Sequence, residues 1–316
     1  MPSLGTIATQ LFPPKPKWSV EQIPDLSGKV CLVTGGNTGI GKETCKQLLK
    51  KGATVYLACC SQDKAEEAIK DLETQTGRTA IFLQTNLSGL DSVKAAAVDF
   101  KILERQLNTL FLNAGVMVPP MDQVTFQGYD MQSGTNVLGH FLFLKLLYPL
   151  LGLAASSSPS SLSRIVWTSS SVQLYFSPPV KYVTLEDGDA RRKMNVGQLY
   201  YQSKFCSVLL LFQVARTSLN DGIVAIVVDP GNIKSDRLQR HLPSIAQRTM
   251  NAVLLHSVDL GAITQLYGGT APEAAQYNGT YLSPWARLGE ANKAAYDAEA
   301  QAEMGKYRED AVRSWL

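Results

Sequence analysis

Short apolar runs alternate along most of this chain with longer segments whose apolar positions recur at helical spacing. Val30–Thr34, Thr54–Ala58, Ala80–Leu83, Leu110–Leu112, Arg164–Thr168, Gly222–Val228 and Thr280–Leu282 read as strands, being short and rich in β-branched or aromatic residues. Most are apolar on both faces, which points to a parallel sheet covered on both sides. Between them the spacing predicts helices over Ile40–Lys51 (stopped by Gly52), over Asp63–Thr74 (stopping before Gly77), after Asp91 as the cap, and over Phe126–Pro149. The expected fold is α/β: a doubly wound, Rossmann-type, mostly parallel seven-stranded sheet with helices on both faces. Phe82 and the apolar strands are expected in its core.

Two segments break the alternation. Residues 154–161 are serine-rich and read as a flexible surface loop. Residues 172–197 are long, contain Pro178-Pro179 and lack a clean period; such a loop inside a compact domain is often a lid or binding element. The expected organisation is an irregular N-terminal arm (1–27), a single dinucleotide-binding and catalytic domain (28–290) and a helical C-terminal tail (291–316).

Composition narrows the function classes. A net charge of +3 over 316 residues, with scattered basic residues, gives no reason to expect nucleic acid. The densest basic run, Arg191-Arg192-Lys193, reads as a solvated loop. Cys31, Cys45, Cys59, Cys60 and Cys206 are odd in number and have no C-x-x-C spacing, so a reducing, cytoplasmic setting is expected rather than a disulfide framework. His140, His241 and His256 are isolated, and no metal site is expected. The N-terminal residues do not read as a secretory signal. The apolar stretches near 137–153 and 205–214 read as buried helices, too short or interrupted to span a bilayer. The glycosylation patterns at Asn86 and Asn278 read as chance.

Two motifs carry chemistry. Thr34-Gly35-Gly36-Asn37-Thr38-Gly39-Ile40-Gly41 is a glycine-rich turn between a strand and a helix, the setting for a dinucleotide pyrophosphate. Gly35 permits the tight turn, Gly39 clears space for phosphate, and Gly41 allows the helix to pack closely on the sheet. Tyr200-Tyr201-Gln202-Ser203-Lys204 sets a phenol and an ammonium one helical turn apart on one face. A free phenol titrates near ~10, and a neighbouring ammonium favours the phenolate. Tyr201 has Phe205 four residues on and lacks such a partner.

The T-G-x-x-x-G-x-G spacing resembles the short-chain dehydrogenase/reductase family. So do Asn113-Ala114-Gly115 after the fourth strand, a serine after the fifth, Y-x-x-x-K, and Asp229-Pro230-Gly231 after the sixth. The resemblance spans about residues 28–285 and is strongest to the retinol-dehydrogenase-like branch and its soluble fungal relatives. It implies direct hydride transfer between a nicotinamide and a carbonyl or alcohol carbon. Tyr200 would pass the proton, and Lys204 would tune it and hold the nicotinamide ribose. Ser170, chosen over Ser169 and Ser171 by its match to the family's strand end, would steady the substrate oxygen. Asn136 would support a water relay through its carbonyl, with His140 packing beside it.

The cofactor would meet Asn37, Thr38 and Ile40 on the glycine turn. It would pass Asn113, Ala114 and Gly115 beneath it, and Pro230, Gly231 and Ile233 near the nicotinamide. Asn86 and Leu87 stand where the family usually has Asp-Leu beside the adenine. The second strand ends in Cys59-Cys60-Ser61, without the acid that binds the ribose hydroxyls of NAD. Many relatives carry Arg in place of Cys60; here Lys42, Lys64, Thr38 and Ser61 are the candidate phosphate ligands. NADP(H) is therefore the expected cofactor, with NAD as the alternative.

Met117, Tyr175, Phe176 and Trp285 are candidates for either core or pocket wall; as walls they would suit an apolar or aromatic aldehyde or ketone. A monomer or a homodimer pairing through 137–150 and 200–216 is expected. The rival reading is a non-catalytic cofactor-binding sensor or scaffold, a class that typically loses the Tyr or Lys kept here.

Overall fold

A computed structural model describes residues 4–157, 162–234 and 255–316. Residues 158–161 of the serine-rich loop, and His241, lie outside the described residues. Among the described residues, eight strands form one sheet in the order β3-β2-β1-β4-β5-β6-β7-β8. They are β1 (Val30–Thr34), β2 (Thr54–Cys59), β3 (Ile81–Gln84), β4 (Thr109–Leu112), β5 (Ser163–Thr168), β6 (Ile223–Val228), β7 (Thr280–Ser283) and β8 (Arg287–Gly289). The first seven are mutually parallel, and β8 pairs antiparallel with β7. The expectation of seven strands is thus corrected to eight. The pattern missed β8 because its three residues are half-buried or exposed and carry no period.

Helices cover both faces. On one side lie α2 (Gly39–Lys50), α3 (Gln62–Thr76) and α8 (Val258–Thr270). On the other lie α4 (Leu90–Leu103), α5 (Met131–Ala155, with a π-helical stretch at Gly134–Gly139) and α7 (Val196–Ser218). Caps set their starts: Ser61 Oγ accepts from the Lys64 amide, Asp130 from Gln132 and Ser133, and Asn195 from Gly197. Two boundaries differ from expectation. The fifth helix begins at Met131, after Asp130, so Phe126 is 79% exposed in the preceding turn. The fourth is capped by Gly89 and not by Asp91, which sits in its first turn.

Helix α5 is 25 residues long and contains an 18-residue window of mean hydropathy 1.7, so by length and composition alone it could cross a bilayer, contrary to the sequence expectation. Two-thirds of its apolar window is buried inside this fold, as befits a core helix. Phe82 is only half-buried and Ile81 is exposed, because β3 is the sheet edge; the expectation of a core position for Phe82 is corrected.

The N-terminal arm is more ordered than its irregular composition indicates, and the tail holds a helix as expected. The N-terminal arm holds α1 (Leu4–Leu11) and buries Trp18 edge-on to Tyr267 of α8, with centroids 5.5 Å apart. In the tail, α9 (Ala298–Val312) packs along α7. Lys145 of α5 pairs with Glu309, and the Trp315 indole donates to Asp91 at 2.9 Å.

The segment 172–197 contains short 3-10 turns and α6 (Asp189–Arg192). Arg191 overturns the solvated reading of its basic run: it is 1% exposed. Its guanidinium donates to Asp130 at 3.0 Å, Asp187 at 3.2 Å, and the carbonyls of Met121 and Gln123 at 2.7 and 2.9 Å. A charge run assigns exposure by average; the Asp130 carboxylate, far off in sequence, is what draws this one side chain inward.

Candidate active site

The candidate residues gather along one edge of the sheet, where the parallel strands end. The strand order reverses between β1 and β4, with β2 leaving one side and β5 the other. Such a switch point leaves a crevice at the carboxyl edge.

The glycine turn leaves β1 there. Gly39 has φ +53 and open space where a side chain would stand. A β-carbon on Gly41 would instead overlap the carbonyl oxygen of Gly35 and come within 2.6 Å of Asn113 Nδ2, so only glycine lets α2 approach this closely. The turn is stitched to the strand beside it. Thr34 Oγ1 accepts from the amides of Asn113 and Ala114, each at 2.9 Å, and Asn113 Nδ2 donates to the Thr34 carbonyl at 2.8 Å. An open cleft before a helix N-terminus, lined by backbone, fits a pyrophosphate.

Next to it stand the proton-transfer candidates. Lys204 is 6% exposed, and its ammonium donates to the Thr168 carbonyl at the end of β5 (2.9 Å). The same ammonium lies 5.8 Å from the ring centre of half-buried Tyr200. Gly115 approaches both Asn136 and Lys204: a β-carbon there would stand 3.1 Å from Asn136 Oδ1 and 3.8 Å from Lys204 Nζ. The Asn136 side chain accepts from the Val116 amide at 2.7 Å and donates to the Val116 carbonyl and to Ser203 Oγ, which donates to the Tyr200 carbonyl. Asn136 lies in the π-helical stretch. Gly139 at the end of that stretch has no room for a side chain against the Leu87 carbonyl, so α5 and the loop after β3 sit in direct contact.

The three serines separate by environment. Ser169 is buried, donating to the Lys204 carbonyl at 2.9 Å and accepting from Ser207. Ser170 is half-buried and opens the 3-10 turn Ser171–Tyr175, its hydroxyl 3.5 Å from the Val172 amide. Ser171 lies inside that turn.

His140 packs beside Asn136 as expected, fully buried, and its neutral form links the two halves of the edge. Nδ1 lies 3.1 Å from the Asn136 carbonyl, which can only accept, so Nδ1 carries the proton. Nε2 then accepts from Thr34 Oγ1 at 2.9 Å. Burial pushes its pKa down to about 3. The sign follows: the unfolded imidazole takes up a proton below about 6.5 while the folded one does not, so acidification from there toward 3 removes stability. The slope is about 1.4 kcal/mol per pH unit from this group. His140→Gln should flatten melting temperature against pH just below 6.5. An unchanged slope would mean that another group sets it.

β2 finishes in buried Cys59, whose thiol donates to the Ser61 carbonyl, and exposed Cys60 follows it; burial raises the Cys59 pKa. Two proposed phosphate ligands are already engaged. Lys42 pairs with Asp71 at 2.7 Å, and Ser61 caps α3. Thr38 is exposed and makes no cap bond through its hydroxyl, and Lys64 is exposed. Asn86 Oδ1 accepts from the amide and hydroxyl of Ser88, so it is occupied by its own turn.

On the far side, Gly231 has φ +78 and packs against Pro284, and Ile233 bridges to His256. Of the wall candidates, Trp285 is buried edge-on to His256 (4.8 Å) in the core beneath α8, and Phe176 stacks on Phe205 at 4.7 Å. Met117 is half-buried, and Tyr175 is 43% exposed.

The short chain dehydrogenase family pattern matches residues 29–180. A short-chain dehydrogenase/reductase of Armillaria gallica is 46% identical over 309 residues, covering 98% of each chain. The enzyme pkfC of Emericella nidulans, described in the same words, is 34% identical over 95% of this chain and 98% of its own. An uncharacterized oxidoreductase of Schizosaccharomyces pombe is 35% identical over 90% and 85%. Among solved structures, an uncharacterized protein from Mycobacterium paratuberculosis superimposes with a TM-score of 0.72 at 23% identity, over 94% of this chain and 97% of that one. The RhlG/NADP complex of Pseudomonas aeruginosa does so at 0.66 and 23%, over 82% and 95%.

Proposed function

Because the chain belongs to the short-chain dehydrogenase/reductase family, whose members are NAD(P)-dependent oxidoreductases of CH–OH and C=O groups, we propose that it reduces an aldehyde or ketone, or oxidises the matching alcohol, with Tyr200 moving the proton. One observation carries the reading: a buried ammonium, Lys204, held by the end of β5 and facing the Tyr200 ring. When bound, the nicotinamide supplies or takes the hydride. The chain supplies the rest. Tyr200 gives its phenolic proton to the oxygen being reduced, and Lys204 stabilises the phenolate left behind. Ser170 donates a hydrogen bond to the same oxygen as charge develops on it. Asn136 orders the Val116 and Ser203 backbone and hydroxyl groups around Lys204. Its carbonyl is the proposed anchor of the water relay, next to the proton of His140 Nδ1.

NADP(H) is the cofactor this edge fits better. The end of β2 offers no carboxylate for the ribose hydroxyls, whereas Thr38 and Lys64 are accessible beside it. The N-terminus of α3 adds a favourable dipole. Half-buried Met117 and exposed Tyr175 make an apolar or aromatic substrate the best match, in a cytoplasmic enzyme. The tail across α7 covers a helix of the expected pairing face, which favours a monomer over a homodimer.

Parallel titrations following nicotinamide fluorescence should show NADPH binding more tightly than NADH. Cys60→Arg should strengthen NADPH binding by about tenfold, one charge-assisted contact of ~1.4 kcal/mol. Tighter binding of NADH by the wild type would overturn the cofactor assignment. Oxidation of NADPH on adding an aromatic aldehyde panel tests the reaction itself.

A further inference from the structure

The C-terminal tail reaches the turn that Ser170 opens. Its helix α9 is fixed on α7: Arg216 Nε donates to Gln301 Oε1 at 2.7 Å, and Gly305 lies against the Gln213 side chain. Just before α9, Asn292 opens the 3-10 turn Lys293–Tyr296. Asn292 uses both ends of its side-chain amide. Oδ1 accepts from the Ala294 amide at 3.1 Å and so caps the tail's own turn. Nδ2 donates outward, to the carbonyls of Gln173 at 3.1 Å and Phe176 at 2.9 Å. The Asn292 backbone amide adds a bond to Gln173 Oε1 at 2.9 Å. Three hydrogen bonds therefore join this one tail residue to a turn more than a hundred positions earlier in the chain.

We propose that Asn292 is a positioning residue: from the tail it holds the Ser171–Tyr175 turn, and through that turn Ser170, in place. The proposal rests on the reductase reading, in which Ser170 donates to the substrate oxygen. The connection is short. The Gln173 amide donates to the Ser170 carbonyl at 3.2 Å, and the Phe176 amide to the Gln173 carbonyl at 3.3 Å. Asn292 thus grips a residue at one end or both ends of each of these bonds. Short 3-10 turns have poor hydrogen-bond geometry and hold their shape weakly by themselves. This one buries Gln173 (0% exposed) and leaves Ser170 half-buried and Tyr175 open. Gln173, its buried residue, is the one to which Asn292 bonds twice.

The Phe176 ring also stacks on Phe205, the neighbour of Lys204 in α7, so the turn is held from α7 as well as from the tail. The side chain at 292 must be an amide to do its share. It needs one acceptor for the cap and two N–H groups for two carbonyls, a combination that a carboxylate or a lone hydroxyl lacks. The demand on Ser170 is geometric, because a donor stabilises developing charge only when it is aimed at the oxygen in the transition state. A turn free to shift would leave substrate and cofactor bound while spoiling that aim.

Asn292→Asp tests this. It keeps the size of the side chain and its cap on Ala294, but sets a carboxylate oxygen against the two carbonyls. Measured on the full chain are kcat and KM for an aromatic aldehyde, NADPH affinity, and amide exchange over residues 171–176. The kinetics are repeated in a Ser170→Ala background. We expect kcat to fall by about 10- to 100-fold, because small misplacements of reacting groups are costly. KM and NADPH affinity should move by less than about threefold, since the lost interaction belongs to the transition state. Exchange over 171–176 should quicken. In the Ser170→Ala background the same substitution should change kcat by less than about threefold, because it acts through a hydroxyl already removed. A role in folding alone would multiply the two losses. Tyr307→Phe removes the tail's separate bond to Glu186 (2.7 Å) without touching the turn, and should keep kcat near wild type. If Asn292→Asp does not fold, Asn292→Ser decides: serine keeps a cap, but its one hydroxyl cannot replace the two outward bonds. An active wild type whose variant keeps its kcat or its slow exchange, or whose two losses multiply, overturns the proposal alone. A wild type that binds NADPH but reduces no carbonyl compound overturns the reductase reading, and the proposal with it.

Discussion

Tyr200→Phe is expected to lower kcat by about 10²- to 10⁴-fold, the usual contribution of a positioned acid or base. It should leave melting temperature and NADPH affinity close to wild type. The substitution deletes one oxygen from a half-buried ring, so α7 and the Lys204 contact with the Thr168 carbonyl are preserved. The loss falls on kcat because the phenolic proton moves only in the chemical step. Tyr201→Phe is the internal control: Tyr201 has no lysine one turn on, and its variant should retain activity. A sensor or scaffold would show the opposite pattern, with cofactor binding intact and no turnover in the wild type to lose. Near-normal kcat in Tyr200→Phe would remove Tyr200 from the mechanism.

The second large effect concerns stability. Arg191→Met should destabilise the protein by about 3–5 kcal/mol, the cost of leaving one partner of a buried ion pair alone. For a domain of this size that is about 10 °C in melting temperature. Arg191 holds Asp130, whose other oxygen caps the first turn of α5 through Gln132 and Ser133, and it holds the carbonyls of Met121 and Gln123. The same contact therefore clamps the 172–197 segment to the start of the helix that carries Asn136. A lower kcat should accompany the lower melting temperature. Adding Asp130→Asn should recover part of the loss, since it removes the stranded charge. A single variant that melts within about 2 °C of wild type would show the pair to be worth little here, as exposed pairs are.

The residues of the proposed site were more legible in the sequence than the contacts that support them. Gly35, Gly39 and Gly41 were readable because the constraints on them are local: a turn, an open approach and a close helix contact within eight residues. Tyr200 and Lys204 were readable because four residues along a helix is one turn. Ser170 stood out from its neighbours only by resemblance, and its distinction from Ser169 became physical once Ser169 was seen tied to the Lys204 carbonyl. His140 carried no signal: a lone histidine in an apolar helix has the same pattern whether it merely packs or joins Thr34 to Asn136. Lys42 was equally suited by sequence to bind phosphate, yet Asp71 engages it.

Periodicity and turn chemistry alone determined the seven parallel strands, the helices between them as far as β6, the glycine turn and the Tyr–Lys spacing, but not α8 between β6 and β7. Each depends on backbone geometry over a few residues. Tertiary structure alone decided that Arg191 is buried, that Asp229 accepts from the Tyr281 hydroxyl, that β8 extends the sheet and that the tail lies along α7. Those outcomes depend on buried polar groups finding partners tens of residues away, such as Asp130 for Arg191 and Tyr281 for Asp229. An unpaired polar group in the interior is costly, so packing selects the partner, and nothing in the local pattern encodes which one it will be.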